Sequence, residues 1–250
     1  MKVTLITVCR NAATVIAGTL ESVRLQTHPD IEHIVIDGAS TDGTMEVLRG
    51  YAAEVGNCTL VSEPDKGIYD AMNKGLSRAT GDLVGFINAG DMLMTPQVVA
   101  HVAEAFERSG ADAVYGDIIM VDEADITKVH RTWISGSYRR ENFRKGWMPP
   151  HVATFFRKQV YDRYGHFNLA LRIGADYEIM LRFLYRHRIS AVHLPEVLVR
   201  FRLGGMSNGS IRHILKANRE VRASWGINGL NAPPLLVTRK LWSKVMQFFH

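Results

Sequence analysis

The chain has 250 residues, 46% hydrophobic and 22% charged, with 30 Lys and Arg against 25 Asp and Glu for a net charge of +5. That length gives one large domain or two small ones with enough core to fold without a disulfide or metal staple, and the two cysteines, Cys9 and Cys58, make no disulfide framework and suit a reducing compartment. No run approaches the ~18 apolar residues of a membrane span and the opening MKVTLITVCRN lacks a signal-peptide pattern; collagen-like, disordered, disulfide-rich secreted and integral-membrane classes are set aside, and a cytoplasmic protein is expected.

Along the first half, strand-like and helix-like stretches alternate. Residues 3–8 form a β-branched run, and 13–26 carry Val15, Ile16, Leu20 and Val23 at helical spacing. Residues 31–37 read as a strand ending in the turn Gly38-Ala39-Ser40-Thr41-Asp42-Gly43; a helix follows at 44–51, with Thr41 or Asp42 able to cap it. Next come a strand at 58–62, a helix at 67–78, a strand at 82–87, a helix at 96–109 and a strand from 113. This alternation predicts a mostly parallel, right-handed, doubly wound sheet with helices on both faces. The second half loses the rhythm. Residues 117–121 and 128–134 suggest a hairpin, and 135–150, rich in Gly, Arg, aromatic residues and Pro, reads as a functional loop more than core. A strand at 152–157, a short helix at 159–164, an amphipathic helix at 175–187 with Ile179, Met180, Phe183 and Leu184 inward, and strands at 191–194 and 197–201 follow. Two basic amphipathic helices, 210–224 and 235–249, close the chain.

Charge divides the same way. From Arg200 to His250 there are nine Lys and Arg against Glu220 alone, a balance of +8, which leaves −3 for residues 1–199. A mildly acidic body with a basic end points the tail, and not the body, toward an anionic surface, and argues against nucleic acid as partner.

Ligands of open parallel α/β sheets bind outside the carboxyl ends of the strands. Here those ends carry Val8-Cys9-Arg10-Asn11, Asp37, Glu63-Pro64-Asp65-Lys66 and Asn88-Ala89-Gly90-Asp91. Any one such cluster is as readily a turn or a cap; four on one edge are less easily explained so. Neither Gly-x-Gly-x-x-Gly nor Gly-x-x-x-x-Gly-Lys-Ser/Thr is present, which argues against a Rossmann dehydrogenase or a P-loop ATPase. A diphosphate bound without those glycines is usually neutralised by a divalent cation on carboxylate oxygens, and Asp91, in a short turn after a strand, is placed for that.

The segments 4–11, IVIDGASTDGT at 34–44, EPDKGIYDAMNKG at 63–75 and 86–91, continued by HVATFFR at 151–157 and ADYE at 175–178 and ending near Gly205, resemble the inverting glycosyltransferases of family 2 with the GT-A fold. The 63–75 stretch is similar to bacterial enzymes that build surface polysaccharides. The order and spacing of these motifs carry the resemblance, which spans about the first 205 residues. It implies a GT-A-like domain at 1–205 with a basic helical extension at 206–250. It also implies transfer of a sugar from a UDP- or GDP-linked donor to a saccharide or lipid-linked acceptor, with Mn²⁺ or Mg²⁺ as cofactor.

By the same resemblance Asp37 corresponds to the aspartate that hydrogen-bonds the base, while the Val8–Arg10 backbone and the Arg10 side chain flank base and ribose. Asp65 and Lys66 match the stretch that approaches the nucleotide. Asn88, Ala89, Gly90 and Asp91 stand where the family has Asp-x-Asp; only the last is acidic, so Asp91 corresponds to the metal ligand and Asn88 to a weaker ribose contact. Asp176 matches the catalytic base, although Ala175 stands where many relatives have Glu; taken alone, it is also a carboxylate suited to a helix N-terminus.

Three further residues have two readings each. His151 is either a satisfied structural histidine or a contact for acceptor or diphosphate. Arg202, before the hinge-like Leu203-Gly204-Gly205, is either a solvated surface arginine or a phosphate partner. Trp147 either stacks on a sugar ring or covers the core. The 235–249 helix, with Leu235, Trp242, Val245, Met246 and Phe249 on one side, is open between a membrane interface, a subunit contact and docking on the catalytic domain; self-association is left open. A non-catalytic nucleotide-sugar-binding or assembly subunit is the alternative, favoured by the neutral Asn88 and Gly90.

Overall fold

A computed structural model of the chain describes residues 1–204, 211–234 and 236. Its first half runs β1 (Val3–Cys9), α1 (Ile16–Arg24), β2 (Ile31–Asp37), α2 (Thr44–Glu54), β3 (Cys58–Ser62), α3 (Ile68–Leu76) and β4 (Leu83–Phe86). The strands lie in the order β3-β2-β1-β4, all parallel. Every residue of β1 is buried, as expected of a central parallel strand covered by helices on both faces, where apolar side chains need not alternate. α1 buries Ile16, Leu20 and Val23 against one face. α3 comes so close to the other that a Cβ on Gly75 would lie 2.5 Å from Ile6 Cγ2. Asp42 accepts the Thr44 N–H at 3.0 Å, but the N-cap position of α2 is held by Gly43 and not by Thr41 or Asp42 as expected.

The second half contains β5 (Met92–Leu93), α4 (Val98–Ser109), β6 (Ala113–Val121), β7 (Val129–Trp133), β8 (Thr154–Arg157), α5 (Lys158–Tyr164), α6 (Ala175–Met180), β9 (Ala191–Arg202) and α7 (Ile211–Ile227). It extends the same sheet as β4-β8-β6-β9-β5, with β7 paired to β6. β8 is antiparallel to both β4 and β6, β9 is parallel to β6, and β5 is antiparallel to β9. The α/β sheet is therefore parallel from β3 to β4 and mixed beyond. Because β8 reverses twice, the carboxyl ends of β6 and β9 return to the edge where β1, β2 and β4 end.

Three local features differ from the sequence expectation. The predicted strands 191–194 and 197–201 are one strand, β9, whose register against β6 shifts between Tyr115 and Asp117, opposite the stretch that contains Pro195; proline cannot donate to the ladder and is tolerated at such an irregularity. β5 is only two residues long, below what periodicity can reveal. The 135–150 segment packs down instead of standing open: Phe143 is fully buried, Tyr138 donates to the Leu184 carbonyl at 2.7 Å, and Arg140 lies over the Tyr185 ring at 4.1 Å.

The helix foreseen over 175–187 is present as α6 followed by a π-helical turn at Leu181–Arg186, with Ile179, Met180, Phe183 and Leu184 fully buried. α7 is not peripheral. Val221 and Trp225 belong to the buried cluster that contains Ile6, Phe86 and Ile179, and Trp225 is wholly enclosed. Burial of one such large side chain contributes about 1.5–3 kcal/mol. The 235–249 helix lies outside the described residues except for Leu236, which joins the same cluster. No helix among the described residues is long and apolar enough to cross a membrane.

Candidate active site

The ends of β1 and β2 are tied into one platform. Cys9 pairs with Asp37 in the sheet, and the Gly38 N–H donates to the Cys9 carbonyl at 2.8 Å. Asn11, at φ 50, accepts the Thr41 N–H at 2.9 Å and donates its own N–H to Ser40 Oγ at 2.8 Å. Asp37 is fully buried; its carboxylate accepts the Ser40 N–H at 3.0 Å, the Ser62 hydroxyl at 2.7 Å and a close contact from the Ser40 hydroxyl. A carboxylate offers about four acceptor positions, and the fold itself occupies most of those on Asp37. Asp65 closes the platform from the third strand. A Cβ on Gly38 would lie 2.2 Å from Asp65 Oδ2 and 3.4 Å from Arg10 Cβ, so only glycine lets Asp37, Asp65 and Arg10 converge there. Asp65 also accepts the Gly67 N–H at 2.8 Å. Arg10 and Lys66 are exposed, with their cationic ends available to a polyanion.

β4 leads into the second cluster. The Ala89 N–H reaches the Val8 carbonyl at 3.2 Å, and the Asp91 N–H reaches the Asn88 carbonyl at 3.0 Å. Gly90 turns the chain at φ 97, a left-handed conformation that glycine adopts without strain. Asp91 is buried, and burial pushes its carboxyl up to about 8 while the backbone N–H and charge of Arg202 pull it down. Arg202 reaches this place through β5: Met92 pairs with Arg200, and the Arg202 N–H donates to Asp91 Oδ1 at 3.2 Å. The Arg202 guanidinium donates to the Glu123 carbonyl at 3.1 Å, while Arg202 Nε and Asn88 Oδ1 are buried without a hydrogen-bond partner among the described residues. A desolvated carboxylate, an orphaned amide oxygen and an arginine thus share one turn. Among the described residues no group of three or more His, Cys, Asp or Glu side chains forms a cation cage. The one carboxylate at this turn, Asp91, suits a divalent ion that takes its other oxygens from a bound diphosphate, the usual habit of Mg²⁺-type sites.

The third cluster lies around the start of α6, in the mixed half. Asp176 stands in the first turn of α6 and is half-buried; its Oδ1 accepts the Tyr177 N–H at 2.7 Å and lies 3.4 Å from the Tyr69 hydroxyl. His151 is buried between Phe86 and Phe167, at ring distances of 5.3 and 5.4 Å, and its Nε2 has no hydrogen-bond partner among the described residues. Burial lowers its pKa, partly countered by the Asp176 charge, so the ring is neutral near pH 7. Trp147 is held edge-on by Tyr115 and Phe143 and donates its indole N–H to the Ser135 carbonyl at 3.0 Å. This is the core-covering member of its two readings, with only part of the ring left to a ligand.

Sequence reasoning did not single out Tyr69, Ser40, Ser62 or Glu220. Tyr69 sits inside the 63–75 motif, and Glu220 is the one acid in a basic tail; those were the available signals.

The glycosyl transferase family 2 profile matches residues 4–165, the span from β1 through α5. The chain is 30% identical over 201 residues to a PGL/p-HBAD biosynthesis glycosyltransferase of Mycobacterium bovis, covering 79% of this chain and 76% of that one. Among solved structures it is similar to S. aureus TarS in complex with UDP, with a TM-score of 0.72 and 17% identity over 96% of this chain and 68% of the other. It is also similar to the mannosyltransferase PcManGT of Pyrobaculum calidifontis in complex with GDP-Man and Mn²⁺, with a TM-score of 0.68 and 21% identity over 96% and 69%. With the profile spanning well over half its length and its strand ends gathering carboxylates on one edge, the chain belongs to glycosyl transferase family 2.

Proposed function

We propose that this glycosyltransferase inverts the anomeric configuration of a sugar as it moves it from a nucleotide-sugar to a hydroxyl of a saccharide or lipid-linked acceptor in surface polysaccharide synthesis. The observation that supports this reading is a half-buried Asp176 in the first turn of α6, beside the Tyr69 hydroxyl and near enough to His151 for its charge to act there, in a chain whose Asp91 follows β4. One carboxylate is available to an acceptor hydroxyl and the other to a leaving diphosphate. The UDP of one structural neighbour and the GDP-Man and Mn²⁺ of another support a UDP- or GDP-linked donor.

In this mechanism the Val8–Arg10 backbone, Arg10, Asp37, Asp65 and Lys66 bind the nucleoside. Since Asp37 already accepts from Ser40 and Ser62, it meets the base by exchanging a serine hydroxyl for a base N–H. Asn88 and Ala89 face the ribose, and Arg202 pairs with the diphosphate. Asp91 would hold the divalent ion, which when bound offsets charge on the departing diphosphate. Asp176 takes the proton of the acceptor hydroxyl as its oxygen attacks the anomeric carbon from the side opposite the leaving group. Neutral His151, with a free nitrogen in an apolar slot, hydrogen-bonds the acceptor and keeps its hydroxyl facing Asp176. Trp147 walls the acceptor side.

The basic tail would hold the enzyme at an anionic membrane face, close to a lipid-linked acceptor. The test is a panel of UDP- and GDP-sugars with Mn²⁺ or Mg²⁺, read by nucleoside diphosphate release and by the anomeric configuration of the product. Inverted product whose formation stops on chelation is the expected result. Retained configuration, or full activity in excess chelator, refutes the corresponding half of the proposal.

A further inference from the structure

The turn that delivers Asp176 is gripped on both edges of one peptide unit. The carbonyl oxygen of Ile173 accepts the Tyr69 hydroxyl of α3 at 2.5 Å. The N–H of Gly174, the other edge of that same peptide, donates to Glu220 Oε2 of α7 at 2.8 Å, and the Ile173 N–H donates to the same oxygen at 2.8 Å. A peptide unit is planar and resists twisting. Fixing its oxygen and its hydrogen therefore fixes the direction in which α6 departs, and Asp176 lies two residues on. Gly174 permits the close approach: a Cβ there would sit 3.1 Å from Glu220 Cβ. α7 holds α6 further along as well, through Trp225 Nε1 to the Tyr177 hydroxyl at 3.0 Å and Asn228 Nδ2 to Glu178 Oε1 at 2.9 Å. Those contacts anchor the helix, whereas the Glu220 contact sets the turn before it.

Glu220 is the only acidic residue between Arg200 and His250, and it lies beyond the 4–165 span matched by the family profile. Its side chain reaches the Ile173–Gly174 backbone. A carboxylate bonded to two backbone N–H groups is a strong, charge-assisted acceptor.

We propose that Glu220 is a positioning residue for the transfer reaction: through the backbone of Ile173 and Gly174 it places the Asp176 carboxylate, which makes α7 a working part of the active site. The proposal rests on the reading of Asp176 as the base. It predicts a loss confined to the chemical step, because the Glu220 carboxylate bonds the turn before α6 and, among the described residues, makes no hydrogen bond to the ends of β1 and β2.

The experiment uses the full chain and the nucleotide-sugar turned over fastest in the donor panel, with UDP and GDP binding measured by calorimetry. Glu220→Ala is expected to lower kcat about 10- to 100-fold, the cost of misplacing a reacting group by about 1 Å, while donor KM and nucleoside diphosphate affinity stay within about twofold. Glu220→Gln keeps an oxygen for both N–H groups and should retain kcat within about threefold. In an Asp176→Asn background Glu220→Ala should cost little more, since residues that act as a unit are not additive.

Wild-type kcat in Glu220→Ala, or an undiminished second penalty in the Asp176→Asn background, overturns the proposal. If Glu220→Ala does not fold, Gly174→Ala supplies the test: its Cβ displaces the turn from α7 with the charges unchanged, and an unaltered kcat there also overturns the proposal. Asp176→Asn by itself separates the two readings. Full activity of that variant refutes the base assignment, whereas a dead Asp176→Asn beside a fully active Glu220→Ala refutes only the role of Glu220.

Discussion

The two halves of the sheet build their shares of the site differently. From β3 to β4 each group stands at or after the carboxyl end of its own parallel strand: Asp37 closes β2, Asp65 follows β3 and Asp91 follows β4. Glycines at 38 and 90 let these turns close on one another. On the mixed side, the turn before Asp176 depends on Tyr69, 104 positions away, and on Glu220, about 47 positions away. Local turns give the platform proposed for the nucleotide, which a strand end can supply alone. The carboxylate proposed as the base needs tertiary support, because a turn by itself does not fix a side chain to the tolerance that proton transfer demands.

Asp176→Asn tests this contrast most severely: kcat should fall about 10³-fold, within the range of general-base losses, with nucleoside diphosphate affinity unchanged by calorimetry. A parallel fall in affinity would mean that the two halves do not divide binding from chemistry as argued. On the platform side, Asp91→Ala should lower kcat/KM about 100-fold, several kcal/mol of lost charge stabilisation, and abolish any response to added Mn²⁺; here donor affinity should drop too.

The seam between the halves comes next. A Cβ on Gly85 of β4 would lie 2.3 Å from the Phe155 ring of β8, so Gly85→Ala should destabilise by about 1–3 kcal/mol through overpacking, seen as a lower urea midpoint with an unchanged slope. A lower slope would reveal that the halves unfold separately.

The smallest expected effect lies far from the chemistry, on β2. His33 is buried between the Thr7 hydroxyl at 2.9 Å and the Tyr51 hydroxyl at 2.8 Å. Burial pushes its pKa from 6.5 down to about 3, so the unfolded chain binds the extra proton first as the medium acidifies. Its contribution is complete above about pH 6.5 and is lost as pH falls toward 3. Thermal melts of His33→Gln should show a flatter decline across that window, with activity at neutral pH unaffected.

Much of this was legible in the residues. The buried run of β1, the turn at 38–43, the 63–75 motif and the Asn88–Asp91 turn are local patterns, and each lies where its strand ends. The inward face of the 175–187 helix was legible too, from apolar spacing alone. The 135–150 segment was not: its Arg, Tyr and Trp residues look solvent-seeking one by one, yet Arg140 and Tyr138 find carbonyl acceptors on the π-helical turn and Trp147 finds one at Ser135. Amphipathic side chains carry enough apolar surface to be packed once their polar ends are satisfied.

The sequence by itself determined the elements of the parallel half, the family, and the charge division that leaves Glu220 as the lone acid in a basic tail. Those properties follow from short-range periodicity, turn chemistry and composition. Only the tertiary structure decided that the sheet turns mixed after β4, that a two-residue β5 brings Arg202 to Asp91, and that α7 closes on the turn before Asp176. Each of these joins residues far apart in sequence through backbone pairing or a single side-chain acceptor, and no pattern along the chain encodes which distant donor a carboxylate will meet.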